Sequence, residues 1–355
     1  MQENGRLDSR NQVLDIAKGL LIFLVVLGHS IQFGFGVWYT RAELFYENIL
    51  FRGIYTFHMP LFMLISGYLF GITSRKKAYK DILLSRLVSI GIPFVVYGFL
   101  LYWIWYFFHK THGFHFLDLG WTIIKSMWFL SSVLLNCIIV ASVTYICKQS
   151  IWRDVILWFL FVLTFFISDR YISVIHKFMY FYFVVGFFLN QHSVKWPHCF
   201  WNKWSFAGLT VLSVICILFF RDTMFIYKDG FCIFEDGIIN YERLYTNILR
   251  FIVGLCVSCW VMRIIFYLYN HIKNLSLWIH LGGQTLAIYG FQCLIFSVVT
   301  KIMLVKNINI PIVPITYIIP LLSSVFVLVL CEGLIRVCNL NFYTRLTFLG
   351  QRKRY

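Results

Sequence analysis

The stretch KGLLIFLVVLGH, residues 18 to 29, sets an ammonium and an imidazole at the two ends of an apolar run with no other charged or hydrogen-bonding side chain. In an α-helix the eleven steps between them, about 1.5 Å and about 100° each, carry His29 roughly 16 Å along the axis from Lys18 and return it to within about 20° of the same face. Both side chains therefore look into one groove. Asp15, three residues before Lys18, is spaced to pair with its ammonium. Taken singly, Lys18 reads as a lysine snorkelling to an interface, and His29 as a histidine satisfied by a neighbouring helix. Together on one face they read as an anion-holding group and a base.

A second imidazole follows in IYTFHMPLFMLISGYLFG, residues 54 to 71. Entering the membrane from the opposite side, this segment brings His58 to about the depth of His29. Pro60 and the pair Ser66-Gly67 can open the helix locally, which a bilayer tolerates only where protein or a water-filled cavity satisfies the freed backbone groups. Two imidazoles at one depth beside a distorted helix suit a reaction chamber. Histidine takes a proton from a hydroxyl near neutral pH, and a water-poor site strengthens its interaction with the charge that develops. A sugar hydroxyl attacking a thioester fits that chemistry. The anionic carrier of such a thioester needs a basic mouth, and Arg75, Lys76, Lys77, Lys80 and Arg86 supply one, although the same run also reads as plain topogenic charge.

The elements that must position these residues are membrane spans. Of 355 residues, 60% are hydrophobic, 20% aromatic and only 13% charged, which excludes a water-soluble fold. The net charge of +16 is scattered over short loops, so it points to topology and anionic headgroups and away from nucleic acid. A span needs about 20 mostly apolar residues. Ten stretches qualify, centred near Leu24, Leu64, Gly98, Leu135, Phe161, Val185, Leu212, Cys256, Tyr289 and Val325. The fold class expected is all-α, a polytopic bundle of about ten transmembrane helices forming one domain over residues 1–355. Basic residues crowd the loops on the side of both termini, while Asp222, Asp229, Glu235, Asp236 and Glu242 fall on the other side. Both termini are therefore expected in the cytoplasm, with an uncleaved first span.

Other residues admit plainer readings. His109, His112 and His115 share a loop broken by Gly113, which suits an interface better than zinc. Cys256 and Cys259 sit within an apolar helix, where packing explains them better than a metal or redox role. Cys232 alone of the ten cysteines lies in an outward loop, so no structural disulfide is expected. Glu332 and Arg336 have ion-pair spacing. Arg250, near an outer helix end, serves an acidic glycan or the interface, and Trp128 serves a sugar, an adenine or an aromatic belt.

These residues bring a family into view. RNQVLDIAKGLLIFLVVLGH at the N-terminus and FHMPLFMLISGYLF in the second span resemble the first two blocks of the membrane acyltransferase-3 family, especially its fucose 4-O-acetylase-like branch. RLVSIGIPF, MWFL and LGGQTLAIYGFQ are similar to weaker blocks in the expected order. The resemblance implies an enzyme of the bacterial inner membrane that moves an acetyl group from acetyl-CoA to a hydroxyl of a cell-envelope polysaccharide or lipid-linked sugar, with no metal. It implies His29 as base, Lys18 at the CoA or carbonyl end, His58 in support and Arg86 near phosphate. Three departures stand out. Lys18 replaces a frequent Arg and lacks its bidentate fork. Gln292 stands where a His is common, so that position is given no catalytic role. No hydrolase-like domain follows the last span, which leaves out a serine relay. A transporter or flippase for a lipid-linked sugar is the rival reading, but it leaves the Lys18 and His29 pair without a use, and no internal repeat supports it.

Overall fold

The computed structural model describes residues 2–33, 46–108, 116–147, 149–193, 201–235, 237–306 and 317–352. His109, His112, His115, Lys148, Lys195, Cys199, Asp236, Lys353 and Arg354 lie outside the described residues. In chain order the longer helices are α1 (Gln2–Phe33), α2 (Ile49–Ser74), α3 (Tyr79–Arg86), α4 (Ile92–Phe108), α5 (Phe116–Ser126), α6 (Trp128–Ile146), α7 (Ser150–Thr164), α8 (Val174–Gln191), α9 (Lys203–Leu218), α10 (Tyr241–His271), α11 (Ser276–Gly283), α12 (Thr285–Val305) and α13 (Ile318–Cys338). One two-residue hairpin, β1 (Phe234–Glu235) against β2 (Ile238–Ile239), interrupts the loop before α10. The protein is all-α and polytopic.

Each of the ten centres expected from hydropathy lies in a helix, but among the described residues seven stretches are both long and apolar enough to cross a bilayer: Gln12–Phe33, Ile49–Ser74, Tyr79–Phe108, Trp128–Ile146, Tyr241–His271, Thr285–Met303 and Ile318–Cys338. Length explains part of the difference. The 15 residues of α7 and the 16 of α9 rise only about 22–24 Å against a hydrocarbon core of about 30 Å. Polar residues explain the rest, because α8 carries His176, Lys177, Asn190 and Gln191 within its 18 residues.

The chain divides into two compact units, each assembled from pieces distant in sequence. The first comprises Met1–Ile54, Arg86–Ser131 and Tyr269–Tyr355. Here α1 lies against α11 and α12. Gly19 abuts the backbone carbonyl of Trp278, and Gly282 abuts that of Asp15, so two glycines let α1 and α11 touch backbone to backbone. The pairing runs in opposite directions there: residues 15 and 19 meet 282 and 278. Beyond the turn at Gln284 the order reverses, with His29 meeting Gln292 and the Phe33 carbonyl accepting from Thr300 at 3.0 Å. The antiparallel α11 and the parallel α12 thus fix the position of α1 at both ends. Between α3 and α4 a π turn at Leu87–Gly91 precedes Pro93, which cannot donate to a helical carbonyl.

The second unit comprises Tyr55–Ser85 and Ser132–Leu268. Its α2 and α8 cross at reciprocal glycines, Gly67 against the Phe183 carbonyl and Gly186 against the Leu64 carbonyl. At their ends the two helices satisfy each other's orphan carbonyls. Arg75 donates to Asn190 O at 2.5 Å and Gln191 O at 2.7 Å, and Gln191 donates back to Gly71 O at 3.2 Å. An aromatic core of Phe161, Phe178, Phe181 and Phe251, with centroids 4.4–5.4 Å apart around Phe251, fills the unit.

Candidate active site

α1 is one unbroken helix from Gln2 to Phe33, so Lys18 and His29 share a face as their spacing requires. Ile22 and Val25 complete the stripe between them and are buried. At one end Lys18 and Asp15 form an ion pair of 2.7 Å, with side chains about 21% and 34% exposed, so the ammonium is held but still open to a ligand. At the other end His29 turns toward α12, where its Nδ1 lies 2.8 Å from Gln292 Oε1. The ring is flanked by Phe33 at 5.4 Å and Phe296 at 6.5 Å between centroids. Next to it Ser30 hydrogen-bonds Ser323 of α13. The imidazole therefore faces protein and a side-chain amide, which is the usual condition of an ionisable group at membrane depth.

In the second unit His58 is buried, with the Tyr55 ring 4.7 Å away edge on. It lines a narrow cleft of about 20 Å³ with Thr56, Tyr55, Phe225, Tyr227 and Arg250. Pro60 lies within this stretch of α2, which stays helical through it although the proline ring supplies no N–H to the helix. Arg250 is buried, and its guanidinium gathers the loop after α9. It donates to the carbonyls of Thr223 at 2.6 Å, Met224 at 3.1 Å, and Gly230 and Phe225 at 3.2 Å, and to Asn247 Oδ1 at 2.8 Å. Asp169 helps by accepting from the backbone of Phe231 at 2.8 Å and of Cys232 at 3.2 Å, and Lys177 pairs with it at 2.7 Å. Replacing Arg250 with Met takes the donor from at least four carbonyls, those of Met224 and Phe225 buried. The purified variant should lose about 3 kcal/mol of stability, melt several degrees lower and be cleaved by protease within residues 222–235.

The family described as an acyltransferase domain, acyltransferase 3, matches residues 11–331. The chain belongs to the acyltransferase-3 family. Among curated relatives, a nodulation protein NolL of Mesorhizobium japonicum is 26% identical over 311 residues, covering 83% of this chain and 79% of that protein. A nodulation protein NolL of Sinorhizobium fredii is 30% identical over 227 residues, covering 61% of this chain and 59% of that one. No solved structure matches.

This acyltransferase-3 chain is a multi-pass membrane acyltransferase, and its fold distributes the residues expected from the sequence as follows. Asp15 and Lys18 pair on α1 in the first unit and His29 lies about three turns further along the same face, while Arg86 is half-buried at the start of the π turn. Trp128 opens α6 there, beside Phe129, which meets Tyr289 at 5.6 Å. His58 and Arg250 share the cleft of the second unit, while Arg75, Lys76 and Lys77 are exposed at the end of α2. Of these three, Arg75 has its guanidinium on the α8 carbonyls, which leaves the two lysines as open cations. Glu332 and Arg336 form the expected ion pair at 2.8 Å, and His280 joins it at 3.1 Å from Glu332. Gln292 is the residue that the sequence passed over, having been given no catalytic role. The signal was its place at the end of LGGQTLAIYGFQ, where the resemblance set a frequent His, and an amide within a mostly apolar helix.

Proposed function

We propose that this acyltransferase carries an acetyl group from acetyl-CoA to a hydroxyl of a cell-envelope polysaccharide or a lipid-linked sugar, in the inner membrane of a bacterium. The observation that carries the reading is the His29 imidazole, held by Gln292 inside the bundle on the same helix face as Lys18. Its relatives named as nodulation proteins of rhizobia support a bacterial setting. Ten crossings with both termini in the cytoplasm complete the topology, with the shorter α7, α8 and α9 as the remaining spans.

In this scheme His29 removes the proton of the acceptor hydroxyl as its oxygen attacks the thioester carbonyl. The C–S bond then breaks, and the departing thiolate takes that proton back. Lys18, oriented by Asp15, and Arg86 bind phosphates of CoA by charge; Lys76 and Lys77 are separate candidate anion contacts, Arg75 having its guanidinium on the α8 carbonyls. His58 orients the acceptor with the loop that Arg250 holds, and Trp128 is a separate candidate for stacking on a sugar or on adenine. The purified protein mixed with radiolabelled acetyl-CoA and an envelope glycan should transfer label to the glycan. Movement of unmodified glycan across a vesicle membrane without label transfer would favour the flippase instead. Lys18→Met should raise KM for acetyl-CoA about tenfold with little change in kcat, whereas Lys18→Arg should stay near the parent. An unchanged KM in the methionine variant removes Lys18 from the donor site.

A further inference from the structure

An imidazole has two nitrogens, and we propose that Gln292 decides which of them acts in His29: its carboxamide oxygen keeps the ring proton on Nδ1 and leaves the Nε2 lone pair as the base. This rests on the reading of His29 as the base of acyl transfer.

The argument runs through hydrogen-bond roles. Gln292 is fully buried on α12, and its Nε2 lies 3.2 Å from the carbonyl oxygen of Tyr289. A backbone carbonyl only accepts, so the amide must turn its NH2 that way. That orientation leaves Oε1 facing His29 Nδ1 at 2.8 Å. An amide oxygen also only accepts, so Nδ1 must carry the hydrogen. A neutral imidazole has one N–H, and Nε2 is left with its lone pair. Flipping the amide would let its NH2 donate to an unprotonated Nδ1, but it would set the carboxamide oxygen against the Tyr289 carbonyl oxygen, two acceptors with no hydrogen between them. The Cys293 sulfur, 3.2 Å from the same NH2, is a weak acceptor on that side as well. Phe33 and Phe296 flank the ring, so the imidazole keeps its edge toward the amide.

The consequence for the reaction is a fixed proton route. The hydroxyl proton passes to Nε2 while the new C–O bond forms, and it leaves Nε2 for the sulfur when the C–S bond breaks. Nδ1 keeps its own proton throughout. In the imidazolium the Nδ1–H bond to Oε1 becomes charge-assisted and stronger, so Gln292 stabilises the charged form without adding a negative charge of its own. It is a positioning residue that acts through His29.

The test separates tautomer control from packing. Gln292→Met keeps length and shape but removes the acceptor, and kcat should fall about 10²-fold with KM for acetyl-CoA within about twofold. Gln292→Glu restores an acceptor oxygen and should recover activity to within about tenfold of the parent. Independently of activity, ¹⁵N-histidine NMR of the solubilised protein, with the His29 signals assigned by their loss in His29→Ala, should show the Nδ1–H tautomer in the parent. It should show Nε2–H or a mixture in Gln292→Met. A parent spectrum with Nε2–H overturns the inference even if no variant folds. So does a methionine variant that keeps kcat within about threefold, or one that loses kcat while its ring stays Nδ1–H. Activity surviving in His29→Ala would instead remove the base itself and leave the tautomer a separate measurement.

Discussion

Changing His29 to alanine should lower acetyl transfer by about 10³-fold or more while the protein still reaches the membrane at the parent level. The two halves of this expectation have different origins. The loss comes from removing the only group on the shared face of α1 with a lone pair suited to a hydroxyl proton near neutral pH. The neighbouring rings of Phe33 and Phe296 remain, but they can take no proton. Insertion is spared because alanine enters an apolar helix more readily than histidine does, and the contacts that fix α1 lie elsewhere: Gly19 on Trp278, Gly282 on Asp15 and Thr300 on the Phe33 carbonyl. Transfer of radiolabelled acetyl to glycan, measured on membranes with matched protein content, reads the first half; detergent chromatography of the same protein reads the second. Parent-level transfer from the alanine variant would end the proposed mechanism.

Leucine at Gly67 or Gly186 should prevent the second unit from forming. At each position a Cβ would be driven into a backbone carbonyl of the facing helix, Phe183 in one case and Leu64 in the other. Backbone cannot swing aside as a side chain can, so α2 and α8 must part along the crossing. Overpacking of this kind costs about 3 kcal/mol. The separation would also break the mutual capping by Arg75 and Gln191, each group then leaving unsatisfied carbonyls. Most of the leucine variant should be lost as aggregate on solubilisation, whereas alanine at Gly208, which has nothing near its missing Cβ, should behave as the parent. Monodisperse, active Gly67→Leu protein would show that the helices do not cross where these glycines place them.

The hydropathy pattern marked ten helix centres correctly in position, because an apolar run of about 20 residues has few other folds available in a bilayer. It could not measure how far each helix extends. Between Ser150 and Thr164 the helix α7 has only 15 residues, and the segment after it carries Asp169, whose carboxylate accepts from the backbone of Phe231 and Cys232, residues far along the chain. Arg250 is a similar case. Its sequence position near a helix end suited a glycan ligand, while its guanidinium in the fold is spread over carbonyls of residues 223 to 230.

What the amino-acid order determined by itself is the face that Lys18 shares with His29 and the pairing of Lys18 with Asp15, since one run of local hydrogen bonds sets the turn per residue and thereby the face. The three-dimensional packing decided that His29 meets Gln292, 263 positions away, and that four glycines seat α1 on α11 and α2 on α8. The physical reason is that lipid tails are as apolar as leucine. Hydrophobicity therefore drives each helix into the bilayer without selecting its neighbour, and that choice falls to close backbone fit and to buried polar groups, neither of which leaves a periodic trace in the sequence.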